Sequence, residues 1–246
     1  MAAPGSRETL IKRTALAVGF STVGIAPVSP CSTSHRIFEK WLQEGRHADM
    51  HFLSRWARRR DNNQLLLKGA KSAICVGLNY YSRRVEANES ISGSEGTGVV
   101  SIYAHGRDYH AVMGDMLASL ALRLRSIFPS FNTVSCVDTK PLSDRTMAIL
   151  AGMAWPGKNT NVISPQFGSW IFLGSLLTNL TLEPDEPLQS ECGDCTLCID
   201  SCPTGAIEER SGVDARKCIS YLTVEKRGAI AYKMQRPIGL NVFGCD

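Results

Sequence analysis

Residues 192–203 read Cys-Gly-Asp-Cys-Thr-Leu-Cys-Ile-Asp-Ser-Cys-Pro. The spacing is C-x-x-C-x-x-C-x-x-x-C-P, in which three thiolates on a tight loop wrap one face of an iron–sulfur cubane and the fourth points toward a neighbouring cluster. This run makes the C-terminal part of the chain a small module built around its cofactor. Two alternatives are a zinc site and a set of disulfides. Zinc sites usually pair two C-x-x-C units across a spacer or include histidine, and no histidine lies near this run. Disulfides require an oxidising compartment, and Met1 to Arg13 lacks the apolar stretch of a secretory signal. Cysteine therefore reads as metal ligation in a reducing cytosol, with Cys218 and Cys245 as further thiols outside the run.

Outward from the cysteines, 246 residues suffice for one large domain and a small appendage. A hydrophobic content of 43% with 20% charged residues fits a globular protein. No apolar run reaches the roughly 20 residues of a membrane helix; Trp170 to Leu180 is broken by Gly174, Ser175, Thr178 and Asn179. A net charge of +4 says little about nucleic acid. The basic cluster Arg55, Arg58, Arg59, Arg60, Lys68 and Lys71 reads as a solvated helix end at least as well as a phosphate contact.

The N-terminal part alternates helical and strand patterns, which predicts an α/β domain over 1–183. Glu8 to Val18 reads as a helix stopped by Gly19, and a second helix runs from Ser34 through Ile37 and Trp41 to Gly45. Ser72 to Tyr80 is nearly all apolar, as a central strand should be. Ser82 to Gly98 is a surface loop by composition, and Gly98 to Ala104 is a further strand. Asp108 caps a long helix with an apolar face of Val112, Met116, Leu117, Leu120, Leu124 and Ile127. Thr133 to Val137 is a strand ending at Asp138, Ser143 to Ala154 is helical, and Phe167 to Leu177 is strongly apolar. The linker Glu183-Pro184-Asp185-Glu186-Pro187 hands over to a ferredoxin-like iron–sulfur domain, 184–246.

A large domain beside clusters must pass electrons on or use them, and use requires a pocket and a proton source. Asp138, at a strand end, is a candidate acid, although an Asp there caps the next helix at least as often. Trp155 to Asn161 with Phe167 to Trp170 sets glycines beside aromatics, which permits close approach to a flat cofactor or forms an ordinary turn. His110 falls at a helix start and is rejected as a cobalt ligand.

Taken together, Gly77 to Tyr81, Tyr103 to His110, Asp138 to Pro141, Gly157-Lys158, Gly168 to Trp170, the cysteine run and Asp214 to Thr223 resemble the epoxyqueuosine reductase family along the whole chain. The resemblance implies a cobalamin-binding α/β domain like that of reductive dehalogenases, followed by the ferredoxin-like module. It implies cobalamin without a histidine on cobalt and two 4Fe-4S clusters. The first cluster would take Cys192, Cys195 and Cys198, the second Cys202, Cys218 and Cys245. Asp138 falls on the family's general acid, and Arg60, Tyr103, Arg107, Lys158, Ser169 and Trp170, with Asp138, on its cofactor-binding positions. The implied reaction is reduction of epoxyqueuosine at the wobble position of tRNA, in the cytoplasm, by a monomer served by a flavodoxin- or ferredoxin-type donor.

Each cluster is one ligand short within these residues, so the chain is expected to be a fragment or truncated. Lys140, Pro156, Asn159 and Ser143-Asp144 depart from the family pattern. A Lys140 ammonium reaching Asp138 would favour its carboxylate and oppose its use as an acid. Two rival readings are a reductive dehalogenase, which usually carries an export signal when respiratory, and a non-catalytic electron-transfer module, for which the first domain is oversized.

Overall fold

The computed structural model describes residues 5–28, 32–60, 63–81, 97–209 and 212–246. Helix α1 (Arg7–Val18) starts where the Ser6 side chain accepts the Thr9 amide and stops at Gly19, whose φ of 113° is the left-handed cap read from the sequence. Strands β1 (Thr22–Pro27), β2 (Ser72–Asn79), β4 (Thr133–Cys136) and β7 (Ile171–Thr178) form one sheet in the order β1-β2-β7-β4. Every ladder in it is antiparallel, so helices and strands alternate along the chain without building a parallel sheet.

The apolar run of β2 is buried on both faces, and its alternate side chains serve different cores. Ile74 and Val76 pack with Ile11 and Ala15 of α1 and with Met113, Leu117, Leu120 and Leu124 of α4 (Tyr109–Ile127). Ala73 and Cys75 face Leu142, Met147 and Ala151 around α5 (Asp144–Leu150). Asp108 caps α4 as expected, accepting the His110 amide. The buried stripe of that helix uses Met113 and Ala121, whereas Ile127 is exposed.

Two expectations need correction. Gly98 to Ala104 is a strand only at β3 (Val99–Val100), and Ile102–Ala104 is a 3-10 turn, because a carboxylate from the far end of the chain caps the Ile102 amide. The helix predicted over Ser143 to Ala154 ends at Leu150, before Gly152 at φ 64°. Trp155–Pro156 and Val162–Ile163 then form the short hairpin β5–β6.

The cysteine-rich part comprises α6 (Leu197–Asp200), β8 (Ile207–Glu208), β9 (Gly212–Val213), a π-helical turn (Tyr221–Glu225), α7 (Tyr232–Ile238) and β10 (Asn241–Phe243). Its small core of Ala215, Ile219, Tyr221, Leu222 and Ile238 is completed by Trp41, Ala48 and Met50, which follow or end α2 (Ser32–Gln43). Trp41 Nε1 donates to the Val213 carbonyl at 2.6 Å, the Ala215 amide to Arg46 at 2.9 Å, and the Tyr221 hydroxyl to Asp49 at 2.7 Å. The linker is held as well. Asp185 accepts the Ile25 amide at 2.8 Å and Lys12 Nζ at 2.5 Å. Among the described residues no helix is long and apolar enough to cross a membrane.

The approach of β1 to α5 leaves no room for a side chain at Gly24, where a Cβ would stand 2.1 Å from the Ala151 carbonyl oxygen. Gly24→Ala should cost about 1–3 kcal/mol through forced repacking. Gly114→Ala, on α4 with nothing within 4 Å, should stabilise by about 0.5–1 kcal/mol by raising helix propensity. Urea unfolding of both variants checks this; equal shifts would refute the close approach.

Candidate functional site

β2 ends and β7 begins at one rim of the sheet, where Asn79 pairs with Ile171, and β4 runs toward that rim, its last residue Cys136 opposite Ser175. Asp138 stands on the loop just beyond β4 at φ 26°, a left-handed conformation that a non-glycine residue holds only when its surroundings fix it. The Tyr109 hydroxyl donates to Asp138 Oδ2, and His110 Nε2 lies 3.0 Å from Oδ1. His110 Nδ1 lies 2.8 Å from Asp108 Oδ1, so both ring nitrogens are engaged. Burial works against the charged imidazole, yet the hydrogen bonds to Asp108 and Asp138 outweigh it and raise the His110 pKa. Burial and then the bond to Asp138 push the Tyr109 phenol up, which keeps it a hydrogen-bond donor. Its ring stacks on Phe172 with centroids 4.3 Å apart, fixing the hydroxyl from behind.

The capping alternative for Asp138 fails, since the next helix begins at Asp144 with Ser143 at its N-cap. Lys140 does not oppose the acid either: its ammonium donates to the Ser135 carbonyl at 2.6 Å. The Asp138 side chain is 54% exposed and open to a ligand.

Beside this carboxylate the rim is aromatic. Trp170 contacts Tyr80 and Tyr81 with ring centroids 5.8 and 5.1 Å away, and the Tyr80 amide donates to the Trp170 carbonyl. Ser169 Oγ accepts from Asn159 Nδ2 at 3.4 Å. Lys158, on the β5–β6 hairpin, pairs with Glu209 of the cysteine-rich part at 2.8 Å. Tyr103 occupies the 3-10 turn after β3, its ring centroid 6.2 Å from that of Phe243. Arg107 is exposed between that turn and α4. Arg60 ends α3 (Phe52–Arg60), but its side chain, like those of Arg58 and Arg59, lies outside the described residues.

In the cysteine-rich part, the Cys195 amide donates to the Cys192 carbonyl at 2.9 Å, closing the tight loop. The Ala206 amide donates to Cys202 Sγ at 3.3 Å, an N–H aimed at a sulfur as a cluster thiolate requires. Burial, then the neighbouring Cys218 and Cys202, raise the Cys245 pKa. Among the described residues no group of three or more His, Cys, Asp or Glu side chains is spaced to hold one metal ion.

The family model for epoxyqueuosine reductase QueG, DUF1730, matches residues 46–139, and the model for a 4Fe-4S double cluster binding domain matches residues 191–246. The epoxyqueuosine reductase of Synechococcus sp. (strain CC9605) is 41% identical over 240 residues, covering 96% of this chain and 72% of the relative. The chain belongs to the epoxyqueuosine reductase family. An epoxyqueuosine reductase solved with an epoxyqueuosine-modified tRNA-Tyr stem loop superposes with a TM-score of 0.85 at 29% identity, covering 97% of this chain and 62% of that one. A Bacillus subtilis epoxyqueuosine reductase, described with its catalytic aspartate loop swung out of the active site, gives a TM-score of 0.82 at 28% identity over 97% of this chain and 62% of that one. The chain thus spans 62% of the length of these two solved family members. The reductive dehalogenase NpRdhA shares the fold, with a TM-score of 0.57 at 16% identity over 94% of this chain and 30% of that one.

Tyr109 and His110 were not assigned to the site from sequence, although their position between Asp108 and the apolar face of α4 placed them at a helix start. The raised His110 pKa has a stability consequence. A folded-state pKa above the ordinary imidazole value gives stability that is fully present below that ordinary value and is lost as pH rises through the folded value. Chemical denaturation across pH 5.5 to 8.5 (roughly the histidine range) should show this decline in the wild type and a flatter profile in His110→Gln. An unchanged profile would exclude the two carboxylates as its cause.

Proposed function

We propose that this chain supplies the reducing and protonating centre of an epoxyqueuosine reductase acting on tRNA, with Asp138 as the proton donor. The observation that carries it is the Asp138 carboxyl group held at a solvent-open rim by the Tyr109 hydroxyl and His110. Removing an epoxide oxygen consumes two electrons and two protons: both carbon–oxygen bonds break, a carbon–carbon double bond forms, and the oxygen leaves as water. Asp138 delivers a proton to the departing oxygen. Tyr109 and His110 fix its direction, and the Asp108–His110–Asp138 chain connects it to solvent for reprotonation.

The cysteine spacing, the tight loop closed between Cys192 and Cys195 and the amide on Cys202 support Cys192, Cys195 and Cys198 as ligands of one cluster and Cys202, Cys218 and Cys245 as ligands of a second. Cobalamin, when bound, supplies low-potential electrons to the substrate carbon. The aromatic faces of Trp170 and Tyr81, the polar edge formed by Ser169 and Asn159, and the Lys158 ammonium suit a flat, amide-rimmed group, and Arg60, Tyr103 and Arg107 would complete its cradle. His110, with both ring nitrogens engaged by Asp108 and Asp138, would not be available as a ligand to the metal. The division of labour follows the segments 1–183 and 184–246. One chain carries both the aromatic rim and the cysteine run, in keeping with a monomer, and a cysteine run read as cluster ligands supports action in the reducing cytoplasm with a flavodoxin- or ferredoxin-type donor. A bare electron carrier would have no use for the strained Asp138 loop.

In the full-length protein, Asp138→Asn should retain clusters and cobalamin yet lose about 100- to 10,000-fold in conversion of epoxyqueuosine to queuosine in tRNA, the usual span of general acid catalysis. Near-normal turnover would remove Asp138 from the mechanism. Cys195→Ser and Cys198→Ser should each abolish most of the sulfide-dependent absorbance gained on anaerobic reconstitution with iron. Stoichiometric zinc without that absorbance would overturn the cluster assignment.

A further inference from the structure

The two carboxylate oxygens of Asp246 hold a turn that lies about 145 residues earlier in the chain. Ser101 Oγ donates to Oδ1 at 2.8 Å and the Ile102 amide to Oδ2 at 2.7 Å, with sequence separations of 145 and 144. Asp246 thereby caps the turn Ile102–Ala104 whose middle residue is Tyr103. Ser101, at the N-cap, is 1% exposed and makes no side-chain cap of its own. The cap that local sequence would supply comes instead from the cysteine-rich part.

The seam around this contact is close-packed. The Val99 amide donates to the Leu240 carbonyl at 2.7 Å and the Ser101 amide to Phe243 at 2.8 Å, joining β3 to β10. Gly244 has φ 72°, and a Cβ there would stand 2.6 Å from Ser101 Cβ and 3.1 Å from Tyr103 Cε1. Its amide donates to the Thr223 hydroxyl at 3.0 Å, tying it back to the π-helical turn. Between Gly244 and Asp246 lies Cys245, assigned above with Cys202 and Cys218 to the second cluster. The residue that ligates a cluster is therefore next in the chain to the residue that caps the Tyr103 turn. After burial, the Asp246 charge is the main influence raising the Tyr80 and Tyr103 phenols, which keeps both hydroxyls protonated at the rim.

We propose that Asp246 is a positioning residue that couples the two halves of the site, so that loading the Cys202–Cys218–Cys245 cluster fixes the turn that presents Tyr103 to the cofactor. Ligation pins Cys245, and the neighbouring carboxylate, with directional bonds to a hydroxyl and an amide, transmits that constraint to the turn. The proposal rests on the cluster and cofactor assignments made above.

Amide hydrogen exchange of the full-length protein tests it, comparing cluster-loaded and chelator-stripped samples of wild type, Asp246→Ala, Asp246→Asn and Ser101→Ala. In loaded Asp246→Ala, exchange over 101–104 should accelerate roughly 5- to 30-fold, the equivalent of a lost cap, while the iron and sulfide content and the protection of β2 and β7 are unchanged. Asp246→Asn, which keeps one acceptor oxygen, should fall between. Stripping the wild type should produce the same acceleration, and stripping Asp246→Ala should add nothing. Cobalamin affinity, measured by titration, should weaken in Asp246→Ala by a factor of similar size. Equal exchange in loaded and stripped wild type, or no acceleration in Asp246→Ala, would overturn the coupling. Should Asp246→Ala lose iron, Ser101→Ala decides, because it removes one partner of the cap and leaves the neighbour of Cys245 intact; no acceleration there overturns the proposal. Wild type that binds no cobalamin would refute the cofactor assignment alone, since the exchange comparison does not need it.

Discussion

The eight-residue antiparallel ladder between β2 and β7, from Ser72 opposite Thr178 to Asn79 opposite Ile171, is the constraint on which the site depends. Both strands are buried along most of their length, so the ladder cannot shift by one residue without turning Ile74 and Val76 out of one core and Ala73 and Cys75 out of the other. That fixed register delivers Tyr80 and Tyr81 from one strand and Ser169 and Trp170 from the other to a single rim. Through β4 it brings Asp138 to the same place. The carboxyl group needs no loop of its own design to face the aromatic wall. It needs only the register and the Tyr109 ring stacked on Phe172 of the ladder.

The cysteine-rich module is joined to the first domain at three places. Trp41 to Met50 supplies apolar side chains to its core, Lys158 reaches Glu209, and β10 pairs in parallel with β3. The linker, tied by Asp185 to Ile25 and Lys12, adds to this rigidity. The protein holds its redox centres in place through many modest contacts, each worth about 0.5–1.5 kcal/mol.

What the sequence reveals and what it hides follow from the range of each signal. The cysteine run is legible because cluster spacing is local, and β2 because continuous burial leaves a continuous apolar stretch. The cap at Gly19 and the cap at Asp108 are equally local. The direction of pairing in the sheet is not, since no residue of β2 names its partner. Val99 to Ala104 carries a strand-like apolar pattern, but its turn is set by a carboxylate 144 residues away. Lys140 sits two residues from Asp138 in sequence, and only the fold shows its ammonium turned back to Ser135. The roles of Tyr109 and His110 were hidden for a related reason: their meaning lies in what α4 points at.

The central claim is that the sheet rim places the Asp138 carboxyl group at the epoxide oxygen. An anaerobic crystal structure of the cluster- and cobalamin-loaded protein with an epoxyqueuosine-containing stem loop measures it directly. The account predicts an Asp138 Oδ atom within about 2.6–3.2 Å of that oxygen, the reach of proton transfer, with Tyr109 and His110 still on the carboxylate. An epoxide bound with Asp138 out of reach and another proton donor in its place would contradict it.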